Sequence, residues 1–300
     1  MRITHQLIAN TVIRNVNRNL WRMSRYQDML SSGKAITKPS QDPVKITRIM
    51  GYNVSLQQNE QYQRNIEAAK AWLDSTEDAL AGINDALQRA RELAVSGADG
   101  SKPPSARKAI AMEVDELVGV LVQMGNSSLG GRYLFAGHQT TNAPFTRDKS
   151  LLATEPSSVV YHGDKGTLQW EIAPNVTIKG NIDGHSLFME TKIFEHLEAL
   201  VAGLNADDTN AVSDALTNIA DSIDAILDKR AALGAISNGL ELSQKKASLE
   251  ELNLTSLRSQ LEDIDFAETF MHFSTMETLY HASLSAGARI MVPSLIDFLR

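Results

Sequence analysis

The sequence predicts a mainly α fold with a small β-rich insertion: an elongated hairpin of long helices in a coiled-coil-like bundle, with its N- and C-termini paired. Three observations predict it. Apolar residues recur at alternating spacings of three and four over several long stretches, as in helices that bury one narrow stripe against another helix. The two chain ends carry such stripes and opposite charge. The composition, with 18 Gly and 8 Pro among 300 residues and aromatics at 6%, suits long helices with narrow cores.

The first stripe is Ile13, Val16, Leu20, Met23 and Leu30, with Gln27 in its polar slot. The segment Ser31-Ser32-Gly33, followed by Pro39 to Pro43, then stops the helix. Ser32 and Gly33 mark this break, and Asp42-Pro43 reads as the N-cap and first residue of the next helix. That helix is expected from 44 to about 96, with Ile66, Ala69, Leu73, Thr76, Leu80, Ile83, Leu87, Ala90 and Ala94 on its stripe. At ~1.5 Å per residue it would run about 80 Å. Gly97 to Ser105 is a turn, and Ile110, Val114, Leu117, Leu121 and Met124 line a further helix.

From Gly130 to Phe188 the pattern becomes strand-like. Val159–Tyr161, Thr167–Ile172 and Val176–Ile178 are short, β-branched and aromatic, and turn residues separate them. A return helix is expected over 208–259, clear at Val212, Leu216, Ile219, Ile223 and Ile226. It is less regular at Leu249, Leu252, Leu257 and Leu261, and Gly234 and Gly239 weaken it. A break near Glu262–Asp265 precedes the last stripe: Phe266, Phe270, Phe273, Tyr280, Leu284 and Met291, with Glu277 as its polar interruption. The expected domains are residues 1–40 with 262–300 (terminal coiled coil), 41–130 with 205–261 (long-helix bundle) and 131–204 (outer β-rich domain).

Residues 1–40 carry seven Lys/Arg and one acid, whereas residues 250–300 carry eight acids and three Lys/Arg. Arg14, Arg18, Arg22 and Arg25 share a helix face that an acidic partner helix would suit. The terminal pair has no wide core behind it, so the free monomer is expected to have loosely ordered ends that become helical on assembly.

The net charge of −7 argues against a general nucleic-acid binder. The absence of cysteine excludes thiol catalysis, thiolate metal sites and disulfides. No apolar run reaches the ~18 residues of a membrane span, so membrane insertion is not expected. The start has no apolar signal region, so export, if it occurs, reads no cleavable apolar signal.

No HExxH, GxSxG, P-loop or GxGxxG motif occurs, and no histidine pair stands at a metal-binding helical spacing. His138, His162 and His185 read as turn or surface residues, and Gly163-Asp164-Lys165-Gly166 as a hairpin turn. No catalytic, cofactor or metal residue is therefore assigned, and the chain reads as a non-enzyme. Ile13, Val16, Leu20, Met23, Leu30, Phe266, Phe270, Phe273, Tyr280, Leu284 and Met291 are the candidate assembly residues.

The segment Leu30-Ser31-Ser32-Gly33-Lys34-Ala35-Ile36-Thr37-Lys38-Pro39-Ser40-Gln41-Asp42-Pro43 resembles the flagellin superfamily. Its Asp-Pro, where flagellins usually have Asp-Asp-Ala, resembles the hook–filament junction branch, although Gln41 stands where an acid is common. Leu129-Gly130-Gly131-Arg132-Tyr133-Leu134-Phe135-Ala136-Gly137, then Pro144-Phe145 and Val160-Tyr161-His162-Gly163-Asp164, resembles that family's entry into its β domain. The stretch from Ile264-Asp265 to Arg300 resembles the terminal assembly helix.

The resemblance implies a structural protein of the bacterial flagellum, located outside the cell at the hook–filament junction. It implies a ring of copies of the chain between hook-associated protein 1 and the flagellin filament. It also implies type III export and an export chaperone on the C-terminal segment. A short flagellin and a cytosolic coiled-coil scaffold are the alternatives.

Overall fold

The computed structural model describes residues 2–153 and 155–291. Six α-helices dominate: α1 Arg2–Ser32, α2 Pro43–Ala98, α3 Pro104–Gly125, α4 Ile193–Ala206, α5 Thr209–Glu262 and α6 Phe266–Met291. Between α3 and α4 lie six short strands: β1 Ser128–Leu129, β2 Arg132–Tyr133, β3 Phe145–Arg147, β4 Val159–Tyr161, β5 Gln169–Ala173 and β6 Val176–Lys179. They form three separate antiparallel pairs, β1–β2, β3–β4 and β5–β6, rather than one sheet. The mainly helical fold with a small strand-containing insertion is the one the periodicities predict. Contacts divide the chain into two units, residues 1–58 with 250–300 and residues 59–249, and α2 and α5 contribute to both.

The larger unit is built around the α2 stripe. All nine residues singled out there, Ile66 to Ala94, are at most 2% exposed. The stripe joins one core with Val114, Val118 and Leu121 of α3, and with Val212, Ile219, Ile223 and Ile226 of α5. Helix α4 was not anticipated. Its Ile193, Leu197, Leu200 and Leu204 are buried in the same core.

The insertion is held by aromatic rings. Phe135, Phe145, Phe188 and Phe194 are all buried. Phe145 and Phe188 meet at 4.8 Å and 67°, and Phe188 and Phe194 stack at 5.3 Å and 11°. Asn126 clasps Phe145 through both backbone groups, donating to its O at 2.8 Å and accepting from its N at 2.9 Å. Arg147 donates to the Asp115 carbonyl at 2.9 Å and pairs with the Asp115 carboxylate, which also receives Lys149. Burial pushes the Asp115 carboxyl up, but the hydrogen bonds from Lys149 and Arg147 outweigh it and leave the pKa below its ordinary value.

Two turns are tied by Arg107, whose buried guanidinium donates to Gly97 O at 3.1 Å and Asp99 O at 3.0 Å and pairs with Asp207.

The segment Gly163–Gly166 is not a hairpin turn, because the strands on either side of it pair with others. Its Asp164 Oδ1 accepts from His138 N at 2.7 Å and Gly166 N at 2.9 Å. Gly137, at φ +68°, lies so close that a Cβ there would collide with Asp164. Glycine at 137 and aspartate at 164 therefore serve one crossing of two connections.

Candidate assembly site

The smaller unit holds the candidate assembly residues. Helices α1 and α6 run antiparallel. Asn19 Nδ2 donates to Ser283 Oγ at 3.4 Å, and the Tyr26 and His272 rings stack at 5.6 Å. A Cβ on Gly287 would meet Val12 at 2.8 Å, and one on Gly33 would meet the Phe266 ring at 3.7 Å.

Val12, Val16, Asn19, Met23, Tyr26 and Leu30 are the half-buried line of α1 at alternating four and three spacing. On α6 the line is Thr269, Phe273, Met276, Tyr280, Ser283 and Gly287. The real seam is thus offset from the expected one. Val16, Met23, Leu30, Phe273 and Tyr280 face the partner helix within the chain. Ile13 (47% exposed), Leu20 (42%), Phe270 (63%) and Leu284 (42%) do not, and Phe266, one heptad before Phe273 with its ring near Gly33, is still 59% exposed at the start of α6. Met291 ends α6, and its side chain lies outside the described residues, as do residues 292–300. Not one described side chain of α1 is buried.

The offset has a physical reason. A helix with apolar residues on two adjacent faces offers two equally regular stripes, and spacing alone cannot tell which one a given neighbour covers. The exact seam also uses Asn19, Ser283 and Gly287, which no apolar pattern marks.

The breaks after α1 and before α6 meet each other. Gly33 takes φ +71° and its N donates to Met29 O at 2.8 Å. Ser32 Oγ accepts from Lys34 N at 3.3 Å. Ala35 N then donates to Glu262 O at 2.7 Å, Ile264 N donates to Gly33 O at 3.2 Å, and Lys34 pairs with Glu262. Asp265 caps α6 through the backbone N of Ala267 and Glu268, at 2.9 and 3.1 Å. On the other side of the loop, Gln41 Oε1 accepts from Thr37 N at 2.9 Å and Lys38 N at 3.3 Å. Asp42 Oδ1 accepts from Lys45 N at 3.0 Å, with Pro43 as the first helical residue. Gln41 therefore closes the loop with its side-chain carbonyl, and Asp42 closes the helix end.

Lys34–Glu262 is one ion pair between the oppositely charged termini. Arg14, Arg18, Arg22 and Arg25 are exposed, and among the described residues none forms an ion pair. Arg14 and Arg18 instead donate along their own helix, to Thr11 Oγ1 at 3.2 Å and Asn15 Oδ1 at 2.6 Å.

His138, His162 and His185 go to separate partners. The His138 ring lies against Gly166, His162 Nε2 meets Thr146 Oγ1 at 2.8 Å, and His185 sits 3.4 Å from Glu190. No group of three or more metal-capable side chains gathers among the described residues, and no described helix is long and apolar enough to cross a membrane.

This arrangement defines a class: structural proteins of long helices whose chain ends pair, with a small strand-containing insertion between the inner helices. Two family models match the chain, the bacterial flagellin N-terminal helical region over residues 3–140 and the C-terminal helical region over residues 216–299. The chain belongs to the flagellin family, and it is a structural component of the bacterial flagellum.

It is 25% identical over 303 residues to flagellar hook-associated protein 3 of Escherichia coli K12, covering 95% of this chain and 96% of that one. It is 24% identical over 311 residues to the flagellin of Bacillus subtilis, covering both chains in full. The solved structure of the flagellar junction protein FlgL from Legionella pneumophila overlays with a TM-score of 0.59 at 16% identity, over 72% of this chain and all of that one.

Proposed function

We propose that this chain forms a ring at the junction between hook-associated protein 1 and the flagellin filament. The terminal pair carries the assembly part of this reading. Ile13, Leu20, Phe270 and Leu284 point away from the chain's own seam, and apolar side chains in such number on two adjacent helices call for a protein neighbour. The junction position draws support from the nearly end-to-end likeness to the E. coli hook-associated protein 3 and from the Asp42-Pro43 helix start.

The subunit leaves the cell through the type III apparatus, and an export chaperone covers the C-terminal segment beforehand. The terminal pair tightens on assembly. Hydrogen exchange in the free chain is expected to be fast over residues 10–30 and 266–290, and strong protection there would count against that step.

Immunogold labelling of intact flagella with an antibody to residues 146–190 tests the position. The expected result is one band where hook meets filament. Label along the whole filament would make the chain a flagellin, and absence of label would return it to the cytosol. Deleting the gene is expected to release unpolymerised flagellin into the medium.

A further inference from the structure

The terminal pair leaves two different faces uncovered, and their chemistries match. Positions advance about 100° around a helix per residue. On α1, Ile13, Leu20 and Gln27 lie about 90° round from the seam line. On α6, Phe270, Glu277 and Leu284 lie about 80° round from theirs, in the same rotational sense. Two helices that face each other while running in opposite directions turn such offsets to the same side. Ile13 and Leu20 therefore share one flank of the pair with Phe270 and Leu284, and Glu277 sets a carboxylate among them. Among the described residues Glu277 is exposed and forms no ion pair.

The second face is the arginine stripe. Arg14, Arg18, Arg22 and Arg25 lie about 130° from the α1 seam in the opposite sense, away from the Glu277 flank. Trp21, 69% exposed, stands beside them.

We infer that the Arg14–Arg25 stripe on α1 of one copy seats on the Glu277 flank of a second copy. The inference rests on the reading that subunits associate through their terminal helices. The two faces are complementary in charge, and neither charge is answered within the described chain. They lie on different sides of the pair, so the contact is heterologous. Such contacts repeat from copy to copy into a ring or open array, where a self-complementary patch would stop at a dimer. The lone carboxylate of Glu277 gives the arginine row a charged partner at one point along the flank. Trp21 and the arginine planes supply surface for Phe270 and Leu284, since guanidinium groups stack on aromatic faces.

Charge reversal tests the contact. Three versions of the full chain replace the wild type in motile cells: Glu277→Arg, Arg18→Glu with Arg22→Glu, and all three substitutions together. The readouts are the chain recovered in purified flagella and the chain free in the medium. Like charges across a contact cost enough that each reversal alone is expected to lower incorporation about tenfold or more. The exported chain should then appear in the medium, which separates lost assembly from failed export or folding. The combined variant is expected to recover to within about twofold of wild type. Normal incorporation of either single-sided reversal, or no recovery in the combination, overturns the contact. Absence of even the wild-type chain from flagella overturns the assembly reading itself, and the contact with it.

Discussion

The two units of this chain use the same alphabet of heptad stripes to different ends. In the larger unit the α2 stripe is buried from Ile66 to Ala94, and four phenylalanines close the insertion. In the smaller unit, α1 has no buried side chain among those described, and its seam with α6 takes only part of the apolar residues available. The first unit closes a core within itself, although Met112, Leu242 and Leu249 stay exposed on it. Under the proposed assembly, Ile13, Leu20, Phe270 and Leu284 of the second unit are the residues a neighbour would cover.

The sharpest way to break that contrast is a pair of substitutions in the smaller unit. Leu20→Asp alters an exposed residue, so the isolated chain should keep its thermal stability within about 0.5 kcal/mol while assembly is lost outright. Phe273→Asp strikes the seam itself, so it should open the α1–α6 pair as well as abolish assembly, leaving the Phe145–Phe188 cluster folded. Swimming assays and circular dichroism on the purified chain separate the two. Normal motility in both variants would mean that the open flank is not an interface.

The contrast predicts the reverse in the larger unit. Phe188 is fully buried among Phe135, Phe145 and Phe194, so Phe188→Ala should destabilise that unit by about 3–5 kcal/mol. The terminal seam should keep its hydrogen-exchange pattern. A thermal melt read at Trp170 and an exchange profile of residues 10–30 check both halves.

A smaller effect tests the electrostatic tie between α3 and the insertion. The Asp115 pKa is lowered in the folded chain. Its contribution is therefore complete above the unfolded carboxylate pKa of about 3.9 and is lost as pH falls through the lower folded value. Asp115→Asn should reduce stability at neutral pH by about 1 kcal/mol and flatten the acid limb of the stability curve. Denaturant melts from pH 2 to 7 would show an unchanged limb if Arg147 and Lys149 were not the cause.

The sequence was most legible where a helix has one apolar face. On α2 every stripe residue is buried, and the neighbouring line of Trp72, Ala79, Ala86 and Leu93 is buried with it, so both lines point to the same core. On α1 and α6 the heptads were real but doubled, so the chosen line ran along the border of two faces: Val16 and Met23 went inward, Ile13 and Leu20 outward. Helix α4 was missed although Ile193, Leu197, Leu200 and Leu204 have the right spacing. It is only 14 residues long, and it begins beside Lys192 in a left-handed conformation within a segment that otherwise reads as strands and turns. Arg107 with Asp207, and Ser158 with the buried Glu198 that accepts its N at 2.9 Å, could not be seen at all. Their partners stand 100 and 40 residues apart, and no local pattern links them.

The smallest expected effect lies where the two units share a helix. Asp42 accepts from Lys45 N at 3.0 Å at the exposed start of α2, so Asp42→Ala should destabilise the chain by about 1 kcal/mol. The loss should be local. Ile49, the first buried residue of α2, lies nearly two turns further in, and the core stripe begins only at Ile66. Fraying of the first turn should therefore speed exchange at Lys45 and Ile46 while leaving Leu73 to Leu87 unchanged. Faster exchange throughout α2 would mean that the helix opens as one cooperative piece from its cap, and the contrast between a self-sufficient larger unit and an incomplete smaller one would then fail at the helix they share.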